Sequence, residues 1–364
     1  MKNRQVFGKD IQSNSHTMTF PDRSLASKLH PDKKRLFIGA YGFEKRSLGW
    51  AIHQEAQGSI LNRALMIRYS PSKGRNRIKL LKQTLSRIGV STSMDFHFNL
   101  HSPHNVEDSL SRKLENMLPE IEEVVVDISA MTKLLILVCL CELEKFRGTV
   151  RIVYSEAEEY SPNQEEYEQS KHDMETMATF PSRGFESIIR MKCLSSIRMQ
   201  GQPVTMVAFT SFNEQLVRHM LGTISPHRLL FINGRPPRED FAWREHATQE
   251  IHKRLIEEYP ADNPLNDQGL LDRAASTLEY TETIDRLDEI YNQFGIYERI
   301  ICAATGSKLQ TVGLFFGKMK HPDIHIEYPT PDSYFTKNGI SKKVREVHEI
   351  VVPKFSGFLT NLRG

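Results

Sequence analysis

The sequence predicts an α/β protein built from two tandem Rossmann-like lobes with mostly parallel sheets, the second lobe an internal duplication of the first. Three observations predict it. Short buried-strand patterns alternate with helical ones from Arg35 to Tyr334, which is the signature of a parallel sheet covered on both faces. A strand that runs through a hydroxyl-and-lysine turn into an apolar helix occurs twice. Glu122–Ser129 leads through Ala130–Met131–Thr132–Lys133 to LLILVCLCELEKF, and Arg299–Ala304 leads through Thr305–Gly306–Ser307–Lys308 to LQTVGLFFGKM. Each unit is followed by a strand ending in a tyrosine-bearing acidic loop, Val150–Tyr160 and Asp323–Tyr334.

Residues 1–33 hold turn formers without a sustained period and read as an N-terminal arm. The first lobe, 34–160, opens with the strand Arg35–Tyr41, a helix starting near Gly42, and a second strand, Ala64–Tyr69. A basic helix follows, then an alternating strand Met94–Leu100, the amphipathic helix Val106–Leu118, and the strand–lysine–helix unit. Residues 161–201 break the rhythm and read as an inter-lobe insertion or β-ribbon, with FESIIRMKCL and SSIRMQ as an antiparallel pair. The second lobe, 202–364, repeats the order: Val204–Ser211 for the first strand, Arg228–Gly234 for the second, Ser276–Thr281 for the third, then its own helix and unit. Val344–Pro353 reads as a final strand of that lobe.

Composition narrows the function classes. A chain of 364 residues with 39% hydrophobic and 26% charged residues is globular. No apolar run approaches the ~20 residues that span a bilayer, and the polar N-terminus lacks the apolar core of a secretory signal. Cys139, Cys141, Cys193 and Cys302 have no metal-ligand spacing and read as reduced core thiols. The expectation is a cytoplasmic protein with no membrane partner. Net charge of +3 announces no global field for a polyanion. The local exception is Ser72–Lys82, where Lys73, Arg75, Arg77 and Lys79 form either a solvated helix face or a nucleic-acid contact.

In a parallel sheet, ligands bind beyond the carboxyl ends of the strands, where the strand order reverses. That rule collects Gly42, Glu44, Arg46 and Ser47 after the first strand, and Ser129, Thr132 and Lys133 after the fourth. In the second lobe it collects Ser211, Asn213, Thr305, Gly306, Ser307, Lys308 and Tyr328. A hydroxyl before a helix is commonly an N-cap. A lysine in the first turn is less ordinary, since the helix dipole favours acids there, and its presence in both lobes points to an anionic ligand. Asp127 either caps the next loop or handles a proton or a ribose hydroxyl, and Glu156 is a second candidate for general-base work. The turns match neither G-x-x-x-x-G-K-[ST] nor G-x-G-x-x-G, so a Walker NTPase and a dinucleotide dehydrogenase are disfavoured. Neither H-E-x-x-H nor G-x-S-x-G occurs, and no metal site or cofactor is expected beyond a nucleotide-type ligand.

The segment Ala304–Thr305–Gly306–Ser307–Lys308, with the loops Gly42–Ser47 and Thr210–Asn213, resembles the CRISPR-associated Rossmann fold (CARF) domains and their two-lobed SAVED relatives from anti-phage systems. The resemblance spans about 35–160 and 203–335; in the first lobe Ala130–Met131 replaces the glycine-containing turn. It implies that the loops of both lobes bind a cyclic oligonucleotide across a pseudo-two-fold cleft. The chain lacks a nuclease motif, a helix-turn-helix and an R-x-x-x-x-H segment, so the resemblance implies a sensor acting through a separate effector protein. Two alternatives stay open: a nucleotide-processing enzyme, ring-nuclease-like or a hydrolase, and a nucleic-acid-contacting subunit of a larger defence assembly.

Overall fold

A computed structural model describes residues 19–70, 77–99, 102–172, 182–258, 273–334 and 343–363. Along the chain come β1 (Arg23–Leu25), β2 (Arg35–Ala40), α1 (Gly49–Ala56), β3 (Arg63–Ser70), α2 (Ile78–Arg87), β4 (Thr92–Asn99), α3 (Val106–Met117) and β5 (Glu123–Asp127). Then follow α4 (Lys133–Glu142), β6 (Thr149–Ala157), α5 (Gln164–Ser170), β7 (Ser182–Arg183), β8 (Ser187–Ile189) and β9 (Val204–Phe209). The second half continues with α6 (Gln215–Ile224), β10 (Arg228–Arg235), α7 (Trp243–Glu257), β11 (Ala274–Ser276), α8 (Tyr280–Phe294) and β12 (Arg299–Ala303). Last are α9 (Lys308–Lys320), β13 (His325–Thr330), β14 (Ser333–Tyr334), β15 (Val344–Val352) and α10 (Phe355–Leu362).

The strands build two main sheets of the same design. Five parallel strands run β4-β3-β2-β5-β6 in the first and β11-β10-β9-β12-β13 in the second. In each, an antiparallel strand closes the edge beside the fifth: β15 on β6, and β8 on β13. The strand order therefore reverses between β2 and β5 in one lobe and between β9 and β12 in the other. Both strand–lysine–helix units leave from these switch points, in identical topological positions.

The interior strands are continuous apolar runs because both faces are covered. All six residues of β2 and all five of β5 are buried. Helix α4 is buried all round its apolar stretch, Leu134 to Cys141, because it packs against α3 on its own lobe and against α9 of the other. One apolar core runs continuously from Leu36 and Ile38 through α4 and α9 to Met206 and Phe209. A second core lies on the outer face of the first sheet, around Phe37, Tyr41, Trp50 and Val125. At the opposite end of the first sheet from its switch point, Glu123 accepts from Arg35 Nε at 2.8 Å and Arg151 Nε at 2.7 Å, and Arg151 reaches Glu349 at 2.6 Å. This buried network fastens β2, β5, β6 and β15 together.

Three sequence expectations are corrected. The final strand belongs to the first sheet: β15 pairs with β6 from Val352↔Val150 to Val344↔Ala157, and β1, inside the expected arm, pairs with β15 in turn. The exposed edge of β6 supplies the reason, since an unpaired parallel strand leaves a row of backbone groups unsatisfied. The two insertion segments do not pair with each other. Ser187–Ile189 pairs with β13, Ser182–Arg183 with β14, and Lys192–Leu194 forms a short 3-10 turn. The strand expected at 276–281 stops at Ser276, because its Oγ accepts the backbone N–H groups of Leu278 and Glu279 and turns the chain into α8.

Candidate functional site

The two switch points face each other where α4 and α9 begin. In the first lobe, Asp127 Oδ1 accepts the N–H of Ser129 at 2.9 Å and starts a short 3-10 turn. Ser129 Oγ accepts the N–H of Ser155 at 2.8 Å, which pins that turn to β6. Tyr69 donates its hydroxyl proton to the carbonyl of Ala130 and accepts the N–H of Thr132, at 3.0 and 2.9 Å. Thr132 then caps α4 through the N–H of Leu135. In the second lobe, Thr305 Oγ1 accepts the N–H of Phe209 at 3.0 Å and donates to its carbonyl at 2.7 Å, joining β9 to β12. Ser307 caps α9 in a capping box with Gln310 and donates to the carbonyl of Thr277. Four of the hydroxyls read from the sequence as ligand donors, Ser129, Thr132, Thr305 and Ser307, thus serve as backbone clamps and helix caps.

The lysines behave differently. Lys133 Nζ crosses to the carbonyl of Thr305 at 2.9 Å, and Lys308 Nζ crosses to the carbonyl of Met131. Each lobe's lysine therefore reaches into the turn that carries the other's. Both sit at helix N-termini, where the dipole disfavours a cation. Burial lowers Lys133 to about 8. Burial, then the nearby Arg46 and Lys133, lowers Lys308 to about 7 against the opposing pull of Glu44 and Asp127. Burial raises Asp127 to about 6 despite its Ser129 hydrogen bonds and the charges of Lys308 and Arg46. Lys133, Lys308 and Arg46 thus meet the carboxylates of Glu44 and Asp127 at one junction, where burial is the largest influence on both lysines and on Asp127.

The first βα loop supplies the flank. Glu44 and Arg46 form a buried ion pair, and Ser47 Oγ donates to the Glu44 carbonyl at 2.7 Å. Arg46 Nη1 also donates to the Tyr154 hydroxyl at 3.2 Å, which in turn bonds Tyr160 at 3.0 Å. Two guanidiniums, Arg46 and Arg244, each stand 6.0 Å from the centroid of the Tyr160 ring. Arg244 stacks over Phe212 and Trp243 and donates to the carbonyl of Pro162 at 2.6 Å, and burial lowers it to about 10. Gly42 allows this loop to touch the facing turn, since a Cβ there would lie 2.8 Å from that of Ala130. At Gly306 a Cβ would meet Gln310 Oε1 at 2.6 Å and the Phe209 ring at 2.9 Å, so this glycine serves packing against β9.

Other candidates bond to groups outside the lysine turns. Asn213 donates to Ser182 Oγ and the Gly184 carbonyl, while its buried Oδ1 has no partner among the described residues. Ser211 Oγ points back to the Asn213 carbonyl at 3.4 Å. Tyr328 is buried in β13 opposite Ile189. Glu156 accepts from His348 Nε2 at 2.9 Å, and Glu346 stands 3.8 Å from the same nitrogen. These three groups are spaced to hold a cation, but Arg23 Nη1 lies 2.7 Å from His348 Nδ1. Arginine only donates, so Nδ1 accepts and the proton sits on Nε2, which is then no metal ligand. Arg23 also pairs with Glu279 of the second half. Glu156 is therefore the end of an inter-lobe hydrogen-bond chain. Lys73 and Arg75 lie outside the described residues. Arg77 holds the first loop through the carbonyls of Gly42 and Phe43, and Lys79 is exposed on α2.

Sequence reasoning singled out neither Tyr69 nor Tyr154, and it took Arg244 only as the end of a stretch, Arg235–Arg244, for a nucleic-acid contact. Tyr160 lies in the tyrosine-bearing loop and Tyr154 in the strand β6 that leads to it, a signal that was available.

No family model matches the sequence, and no curated protein matches it. A solved structure with some likeness is Can2 from Sulfobacillus thermosulfidooxidans in complex with cyclic tetra-adenylate. Identity is 9%, the TM-score is 0.26, and the match covers 80% of this chain and 95% of that one. A likeness at that level leaves the functional reading to the geometry of the site. Among the described residues no helix is long and apolar enough to cross a membrane.

Proposed function

We propose that the protein is a two-lobed receptor for a nucleotide or cyclic oligonucleotide in a prokaryotic anti-phage defence system, acting through a separate effector chain. The observation that carries this reading is the reciprocal pair of lysines at two facing helix starts, each spending its charge on a neutral carbonyl of the other lobe. A phosphate offers either lysine a charge-assisted bond of about twice the strength of a neutral one. The free N–H groups at the starts of α4 and α9 add to the same field. A ligand touching both turns stabilises one arrangement of the lobes by its differential affinity, and that shift is the signal.

A nucleotide-processing enzyme is the second reading, favoured by Asp127 at about 6 beside Lys308 at about 7. A buried carboxylate and an amine within electrostatic reach of each other suit general acid–base work. One experiment separates the two. The pure protein is incubated with cyclic tetra-adenylate, smaller cyclic oligonucleotides, NAD and nucleoside triphosphates, with binding read by calorimetry and products by mass spectrometry. The receptor reading expects saturable binding of a cyclic oligonucleotide recovered intact. Cleaved product establishes the enzyme, and no binding of any member of the panel contradicts both.

A further inference from the structure

The first lobe carries a groove of about 750 Å³ between α1, the start of α2, β1 and β15. Its apolar lining is open to solvent. Leu25 is 60% exposed, Ile52 49% and Leu80 41%, and these are three of the seven large apolar side chains exposed among the described residues. Scattered exposed apolar residues need no explanation, whereas several gathered in one concavity mark a contact surface. The rim has one sign of charge: Lys45, Arg77, Lys343 and Arg345 surround the groove against the single carboxylate of Glu346.

We propose that this groove docks an acidic amphipathic helix of a partner protein, with apolar side chains on Leu25, Ile52 and Leu80 and carboxylates against the basic rim. The concave shape suits a helix laid into a groove. A bilayer surface would instead be met by apolar residues that protrude. The rim cations are available at low cost. Lys45 and Arg345 are exposed, and Lys343 faces Glu158 only across 3.7 Å in an exposed pair, a contact that contributes little. Charge complementarity of this kind selects partners and speeds encounter. The groove is also one loop away from the lysine junction. Arg46 turns inward to Glu44 and Tyr154, while its neighbour Lys45 and the following Leu48 line the groove. The inference does not depend on what binds at the junction.

The test uses the full-length chain and a fluorescein-labelled four-turn helical peptide of leucine and glutamate at amphipathic spacing. Its leucine–lysine counterpart and phosphatidylglycerol vesicles are the comparisons. Anisotropy is expected to show binding of the acidic peptide alone, weakened by salt. Lys343→Glu/Arg345→Glu should lower its affinity by about tenfold or more, as should Ile52→Asp. All three positions are exposed, so melting temperature should stay at the parent value and serve as the folding control. Absence of acidic-peptide binding, equal binding of both peptides, indifference to the substitutions, or binding of the vesicles instead would overturn the proposal.

Discussion

Replacing Lys133 and Lys308 together by methionine is expected to lower affinity for a cyclic oligonucleotide by about 10²–10⁴-fold. Each charge-assisted contact contributes ~1.5–3 kcal/mol, and the double variant loses two. Each single variant, Lys133→Met and Lys308→Met, should fall between the parent and the double. Stability should respond far less. Each lysine gives up hydration at a helix start that repels it and gains one carbonyl bond, so the removal of charge and the loss of the bond oppose each other. Calorimetric titration beside thermal melting checks both halves. A large loss of melting temperature with unaltered ligand affinity would assign the pair a purely structural role.

The largest stability effect is expected far from that junction, at Glu123→Ala. The carboxylate is buried and shared by Arg35, itself buried, and by Arg151. Deleting it leaves the Arg35 guanidinium buried without its counter-charge, which costs about 3–5 kcal/mol. Urea denaturation should show the midpoint falling steeply, and a change below ~1 kcal/mol would contradict the network's role. The same network predicts acid sensitivity. Burial opposes ionisation of Glu123, but Arg151 and then Arg35 hold its carboxyl below the ordinary glutamate range. Its contribution is complete above the unfolded pKa of about 4.3 and is lost as pH falls through the lower folded value.

Much of this fold was legible in the sequence because parallel strands covered on both faces must be near-continuous runs of Val, Ile and Leu. Arg35–Ala40, Glu123–Asp127 and Arg299–Ala303 meet that requirement and sit at the centres of their sheets. What was not legible is long-range pairing. Nothing local in Val344–Val352 says that its partner is β6, nearly two hundred positions upstream, and position alone assigned it to the second lobe. The turn after Ser276 was hidden for a related reason: the serine hydroxyl that ends β11 acts on backbone groups that no periodicity reveals.

The site divides the same way. Thr132 and Ser307 were readable as helix caps, and the structure uses them so. The lysines could be singled out because a cation in a first turn opposes the dipole. Their partners, each in the other lobe, emerge only when α4 and α9 pack together. The place of Arg244 over Phe212, Trp243 and Tyr160 was not legible, since it joins segments far apart in the chain.

Calorimetric titration with cyclic tetra-adenylate from pH 6.5 to 9, in buffers of different ionisation enthalpy, decides whether one anionic ligand bridges both lobes through the paired lysines. With Lys308 at about 7 and Lys133 at about 8 in the free protein, a bound phosphate favours the protonated amines and raises both values. Binding should therefore take up protons near pH 8, with one ligand per chain, and affinity should fall as pH rises through 7 to 8. The free protein should move the other way and gain stability between about pH 7 and 10, where the unfolded lysines still hold protons that the folded ones have released. Two ligands per chain, or an affinity independent of pH with no proton uptake, would contradict the account.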